Sequence, residues 1–331
     1  MMDERQGSFE DIIGTGNLGR GLMTLCAVLA LAACSATDVP TDVADRGESV
    51  SVEAAFENIA APGPIRFEKL ESATWSVPLS GLLNLDHPKA RAAGIEDREE
   101  DISIYTYVLT HPTEGMFLVD AGVSESFRGD ENADISWLVS KVMNMDALKL
   151  KRSNREILAA HDEQAIAGVF LTHIHLDHVM GFDDLPEGTP VYLGPGDAQY
   201  AAATHAATRG TTDRLLAKVD RLQEWTFNDG KVVDVFGDGS LFAFHAPGHT
   251  AGLTVYLART TRGAQLIMGD LTHTRWGWEN GVEPGSYSVD GPRSAESLAW
   301  IKSLVDTYDP AGDLIAVHPG HQSLEGATPG R

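Results

Sequence analysis

Apolar residues recur along the chain with two periods. Ile102-Ser-Ile-Tyr-Thr-Tyr-Val-Leu109 begins by alternating, turn residues occupy 112–115, and the apolar run Met116-Phe-Leu-Val119 ends on Asp120. This pattern predicts a hairpin whose second strand delivers an acidic side chain to a sheet edge. Further short apolar runs predict strands at 169–172, 190–193, 241–244, 253–257, 265–268 and 314–317. Helical patterns fill gaps between them at 135–145, 213–222 and 294–308, the last with Leu298, Ile301, Leu304 and Val305 on one face. Short strands alternating with helices predict an α/β architecture. No internal repeat of fixed period is visible.

The first 64 residues read differently. Gly21-Leu-Met-Thr-Leu-Cys-Ala-Val-Leu-Ala-Leu-Ala-Ala33 is an apolar run behind Arg20, short for a membrane span and closing on small residues. It predicts an export signal over 1–33. Its end, Leu31-Ala-Ala-Cys34, resembles the bacterial lipobox, which implies cleavage before Cys34 and a lipid on its thiol. Asp3, Glu4, Glu10 and Asp11 form an acidic leader where a basic one is usual, which moves the expected start nearer Arg20. Ser35 after the cysteine favours the outer membrane, on the periplasmic side of the envelope. Cys26 lies within the signal, so the mature chain would hold no disulfide. Residues 34–64, rich in Ala, Asp, Glu, Ser, Thr, Val and Pro, are expected to form a flexible tether, with the folded domain spanning 65–331.

Composition narrows the partners. The chain has 331 residues, 43% of them hydrophobic, enough for a substantial core, and carries a formal net charge of -23. Such an excess repels phosphates, so nucleic acid and anionic membrane surfaces are poor partners and a small-molecule substrate is expected.

Leu171-Thr-His173-Ile-His175-Leu-Asp177-His178 sets four potential ligands just after an expected buried strand. His173 and His175 alternate on an extended segment and point the same way, while Asp177 and His178 fall where the chain turns and can face a second metal. Incidental histidines in a polar loop would not account for four potential ligands at this spacing.

His-x-His-x-Asp-His resembles the signature of the metallo-β-lactamase superfamily, and the resemblance extends from about Ile102 to His321. Pro247-Gly-His249-Thr is similar to the family's Pro-Gly-His-Thr turn, and Gly269-Asp270 to its bridging aspartate. The resemblance implies an αββα sandwich of two β-sheets flanked by helices. It further implies two divalent ions, one on His173, His175 and His249, the other on Asp177, His178 and a late histidine, with Asp270 between them. Val317-His318-Pro-Gly-His321 offers two candidates for that last ligand; His321 is favoured and His318 is the alternative. Ligands of oxygen and nitrogen without thiolate suit zinc and also admit manganese, iron or cobalt. Asp120, in Val-Asp-Ala-Gly, matches the family's strand-end aspartate that orients a ligand histidine.

A hydroxide shared by two such ions would be the expected nucleophile, making the chain a metal-dependent hydrolase. Asp177 and His273 are the candidate catalytic groups, His273 either as a proton donor to the leaving group or as a hydrogen-bond partner behind the ligands. His161, His205 and His245 stand in no such context, and Trp276 and Trp278 either line a pocket or pack. The stretch after Asp270, with this Trp-rich segment, Val289-Asp290 and Ser297-Leu298, is similar to the quorum-quenching lactonases. Those enzymes carry a tyrosine where this chain has His273, and the Gly-Asp-x-x-His pattern is closer to the methyl parathion hydrolase type. Lactone or ester hydrolysis is therefore the first expectation and phosphotriester hydrolysis the second. Thioester and β-lactam hydrolysis rank lower, and a metal-binding lipoprotein without catalysis is the non-enzyme alternative.

Overall fold

The structure is a computed structural model that describes residues 35–129, 135, 137–161, 165–202, 205–228 and 232–324. The expected export signal at 1–33 and Cys34 lie outside the described residues.

Two sheets carry the fold. In the eight-stranded sheet the order is β1 (Thr41–Val43), β9 (Leu222–Glu224), β8 (Val191–Leu193), β7 (Ile166–Phe170), β5 (Gly115–Val119), β4 (Glu99–His111), β3 (Arg66–Pro78) and β6 (Lys149–Leu150). In the six-stranded sheet it is β14 (Ile315–His318), β13 (Gly263–Ile267), β12 (Thr254–Thr260), β11 (Leu241–His245), β10 (Val232–Asp234) and β2 (Glu48–Val50). Both sheets mix parallel and antiparallel pairs; β5–β7–β8–β9 run parallel in the first and β13–β14 in the second.

Strand side chains alternate between two apolar layers, so the apolar runs need no polar face. In β5, Phe117 and Val119 join Phe170, Tyr192, Trp225, Ala243 and Tyr256 between the sheets. Met116 and Leu118 point the other way, into a core with Leu215 and Leu216. On the far side of the six-stranded sheet, Phe242, Phe244, Val255, Leu257 and Leu266 pack against Leu298, Ile301 and Val305 of the helix Gly291–Tyr308. Each such buried aliphatic side chain contributes about 1.5–3 kcal/mol relative to exposure. The layers are helix, sheet, sheet, helix, which is the αββα sandwich expected.

Three expectations need correction. Residues 35–64 are part of the fold: β1 pairs in parallel with β9, β2 pairs antiparallel with β10, and in the helix Val52–Phe56 the Phe56 ring stacks on Tyr308 at 4.3 Å. Exposed sheet edges leave unpaired backbone groups, and a short polar strand lines one edge of each sheet here, which explains the polar composition. The helix expected at 213–222 lies earlier, at His205–Leu215, and 222–224 is β9. The expected helix at 135–145 is represented by the helix Trp137–Val142 and a separate turn of 3-10 helix, Met145–Ala147. No apolar run in the sequence predicts strands β3, β6, β9 and β10.

Candidate metal centre

Strand ends and the turns beyond them bring the candidate residues together at one edge of the sandwich. His173 and His175 follow β7, and the one-turn helix Leu176–Val179 carries Asp177 and His178. His249 follows β11, Asp270 follows β13, and His321 stands three residues beyond β14. Two quartets result: His173, His175, His249 and Asp270, and Asp177, His178, His321 and Asp270, each with its ligand atoms within 4.8 Å of one another. Asp270 belongs to both. Its Oδ2 lies 3.5 Å from His173 Nε2 and 3.3 Å from His249 Nε2, while its Oδ1 lies 3.2 Å from His321 Nε2 and 3.6 Å from His178 Nε2.

Two glycines make this approach possible. Gly269 has φ 49°, and a Cβ there would meet the Thr172 side chain at 2.6 Å. A Cβ on Gly320 would collide with Asp270 Oδ1. The turn after β14 can thus pass against the Asp270 carboxylate.

That turn also separates the two late histidines. His318, still in the strand, points away from the quartets, stacks on Phe67 at 5.3 Å and hydrogen-bonds Gln265 Oε1 at 2.8 Å. Burial pushes its pKa down to about 3. His321 is the one that joins the cluster, and His318 lies outside it.

Behind the rings stands a layer of oxygen atoms that fixes which nitrogen faces inward. His178 Nδ1 is 2.8 Å from Asp120 Oδ2, His321 Nδ1 2.9 Å from the Ser103 carbonyl, His249 Nδ1 3.2 Å from Ser288 Oγ, and His173 Nδ1 3.1 Å from Thr172 Oγ1. His175 is turned the other way, with Nε2 3.2 Å from Tyr200 Oη and Nδ1 inward. Asp120 holds a left-handed backbone, φ 58°, and also accepts from Thr172 N at 2.7 Å. Backbone strain of this kind is retained where surrounding contacts over-determine it.

The donor set fits metal ions. His173 Nε2, His178 Nε2 and Asp270 Oδ1 are fully buried without a hydrogen-bond partner, an arrangement costly unless a cation occupies the space they face. Electrostatics agree. Burial depresses His173, His175 and His249, leaving neutral rings suited to ligation. Burial alone would raise Asp270, yet His273, His321, His178 and His173 hold it well below the usual carboxylate range. His321 moves up to about 10 because Asp270 and Asp177 outweigh its burial, and Asp120, Asp177 and Asp270 likewise raise His178. Together the carboxylates call for positive charge that two divalent ions would supply.

His273 lies in the same cluster, with Nδ1 3.0 Å from the Leu82 carbonyl and Nε2 3.0 Å from Asp270 Oδ2. A cavity of about 650 Å³ opens onto these groups, walled by Trp75, Val77, Leu82, Ile102, Met143 and Leu176. Neither Trp276 nor Trp278 borders it: Trp278 packs into the core behind the six-stranded sheet. His161 pairs with Glu68 and His245 with the Ala251 carbonyl. His205 is different. It borders the cavity and contacts Tyr200 Oη at 3.1 Å. The sequence reading missed Tyr200, Ser288 and Ser103, for which no local signal exists. Asp197 was missed although Gly196-Asp197 follows strand β8 much as Gly269-Asp270 follows β13.

Comparison with known proteins supports the same assignment. The family model "Metallo-beta-lactamase superfamily" matches residues 101–299. The chain is 28% identical over 229 residues to N-acyl homoserine lactonase AttM of Rhizobium johnstonii, covering 64% of this chain and 83% of that protein. It is 30% identical over 124 residues to Gamma-lactamase FDB1 of Fusarium pseudograminearum, a match spanning 34% of this chain and only 30% of the relative. A crystal structure of a quorum-quenching N-acyl homoserine lactone lactonase superposes with a TM-score of 0.55 at 16% identity, over 82% of this chain and 98% of that one, which establishes the shared fold. The chain belongs to the metallo-beta-lactamase superfamily of hydrolases and is related to the N-acyl homoserine lactonases.

Proposed function

We propose that the protein hydrolyses a neutral lactone or ester with an apolar acyl part, using two metal ions held by the quartets. The observation that carries this reading is the apolar cavity opening onto the imidazole–carboxylate cluster. Its apolar walls suit an uncharged hydrocarbon chain, and the net charge of -23 disfavours polyanions. His173, His175 and His249 would hold one ion, Asp177, His178 and His321 the other, and Asp270 would reach both. Two divalent ions so placed lower the pKa of a shared water towards neutrality and polarise a carbonyl oxygen. Asp120, Ser103, Ser288 and Thr172 keep the imidazole rings in register for that purpose. His273 donates from Nδ1 to the Leu82 carbonyl, so a proton given to a leaving oxygen would come from Nε2 of the doubly protonated ring, which is left neutral with Nδ1–H in place. Zinc is the ion proposed; the nitrogen and oxygen donors also accept manganese, iron or cobalt.

The testing experiment is a panel of acyl-homoserine lactones, aryl and alkyl esters, a thioester, an organophosphate triester and a β-lactam, assayed with each metal. Turnover of lactones and esters is expected, with alanine at 273 lowering it by about 10²-fold for poor alkoxide leaving groups and much less for activated aryl ones. Turnover confined to the organophosphate would favour the phosphotriesterase reading, to which His273 also points. Hydrolysis of the thioester or β-lactam alone would assign the chain elsewhere in the superfamily.

The proposal extends to location. A lipid on Cys34 would leave Ser35 as the sole spacer before Ala36, which is buried, donates its N–H to the Ala198 carbonyl and borders the cavity. The cavity would then lie close to the membrane surface. Mass spectrometry of the mature N-terminus checks this, and an unmodified chain starting upstream of Cys34 would refute it.

A further inference from the structure

Residues 194–200, following β8, lie beneath the first quartet without contributing a ligand to it. Gly194 and Gly252 let this segment run backbone against backbone with the loop that bears His249, because a Cβ on either would strike the other's main chain. The contact brings Asp197, fully buried, between the two ligand loops. Its Oδ2 accepts the N–H of Ile174, between His173 and His175, at 2.8 Å, and its Oδ1 accepts the N–H of Gly252 at 2.9 Å. Three residues on, Tyr200 Oη meets His175 Nε2 at 3.2 Å and His205 Nε2 at 3.1 Å. One short segment therefore fixes the spacing of the loops carrying all three imidazoles and the rotation of one ring. The second quartet receives its support elsewhere, from Asp120 and the Ser103 carbonyl.

We infer that Asp197 and Tyr200 are positioning residues that set the metal affinity of the first quartet independently of the second. The inference rests on the reading of the quartets as metal sites. A ring held by hydrogen bonds on its outer nitrogen loses less rotational freedom on ligation, and loss of such a partner typically costs about 10–100-fold in metal affinity. Tyr200→Phe keeps the ring and its packing, so a purely packing role would leave affinity unchanged. Asp197→Asn keeps the shape but replaces one of the two accepting oxygens with an NH2 group, which cannot accept the N–H that oxygen held.

The test is zinc titration of the full chain in competition with a chromogenic chelator, counting ions retained. His249→Ala and His321→Ala serve as references, each cutting one quartet, and thermal unfolding of the metal-free proteins monitors folding. Tyr200→Phe and Asp197→Asn are expected to weaken one ion by about 10–100-fold, matching the His249→Ala profile, with the other ion retained. If Asp197→Asn does not fold, Tyr200→Phe alone decides. Unchanged affinities in Tyr200→Phe alongside a clear loss in His249→Ala would overturn this inference and leave the metal reading intact. Equal weakening of both ions would overturn it too. A wild-type chain that binds no zinc would remove the metal reading and the inference with it.

Discussion

His173, His175 and His249 are backed by hydroxyls, those of Thr172, Tyr200 and Ser288, whereas His178 is backed by Asp120 and faces Asp177, and His321 lies 3.2 Å from both Asp177 and Asp270. The same side chain thus stands in two electrostatic settings a few ångströms apart. In the first, burial wins and the rings are depressed. In the second, carboxylates win and the rings are raised, His321 to about 10. A ligand type alone does not define a metal site; the groups behind it decide whether a proton must leave before the ion enters.

The largest effect should come from removing what the two settings share. Asp270→Ala is expected to abolish retention of both ions and to lower kcat/KM by about 10³-fold or more, since both quartets lose their common carboxylate. Elemental analysis of protein purified without chelator checks it, and retention of one tightly held ion would show that Asp270 serves a single quartet.

His321→Ala should empty only the second quartet, with activity falling by about 10²-fold or more. His318→Ala should leave the metal count at wild-type level and instead cost about 1–3 kcal/mol of stability, because buried Gln265 loses its partner. Metal content and denaturant unfolding of the two variants separate the outcomes, and a reversed ranking would break the assignment of the late ligand.

The proton difference gives a subtler prediction. His321 carries a proton below about pH 10 in the metal-free protein and must lose it to ligate. His178, raised by the carboxylates around it, must lose its proton too, so affinity for the second ion should fall as pH falls, by up to about tenfold per unit for each of the two rings between about pH 8 and about pH 6. The first quartet, whose rings are already neutral there, should change much less. Competition titrations across this range test it, and parallel slopes for both ions would erase the contrast.

The smallest effect concerns the second quartet's support. Asp120→Asn should weaken the second ion by about 10–100-fold and the first much less, since Asp120 reaches His173 only through Thr172, measured by the same titration.

Much of this centre was legible before any fold was known, for a local reason. His173 to His178 form a contiguous run in which alternation and a turn already separate two directions, and Pro247-Gly-His249 and Gly269-Asp270 are short strand-end motifs in a fixed order. Strand positions were legible too, since runs such as Met116–Val119 serve both faces of a buried sheet. The tether at 34–64 misread polar composition as freedom, when the segment's role is to close two sheet edges with short strands.

By itself, then, the sequence determined the candidate ligand types and their order, because each is written in a motif a few residues long, and periodicity gave an α/β architecture, while the αββα class came through the family resemblance that those motifs carry. Tertiary structure alone decided that His321 and not His318 reaches Asp270, since the choice turns on strand register and on a glycine turn passing the carboxylate. It alone placed Tyr200 and Asp197 behind the first quartet and opened the apolar cavity beside it. Those contacts join segments far apart in the chain, and a side chain's proton affinity depends on neighbours that only packing supplies.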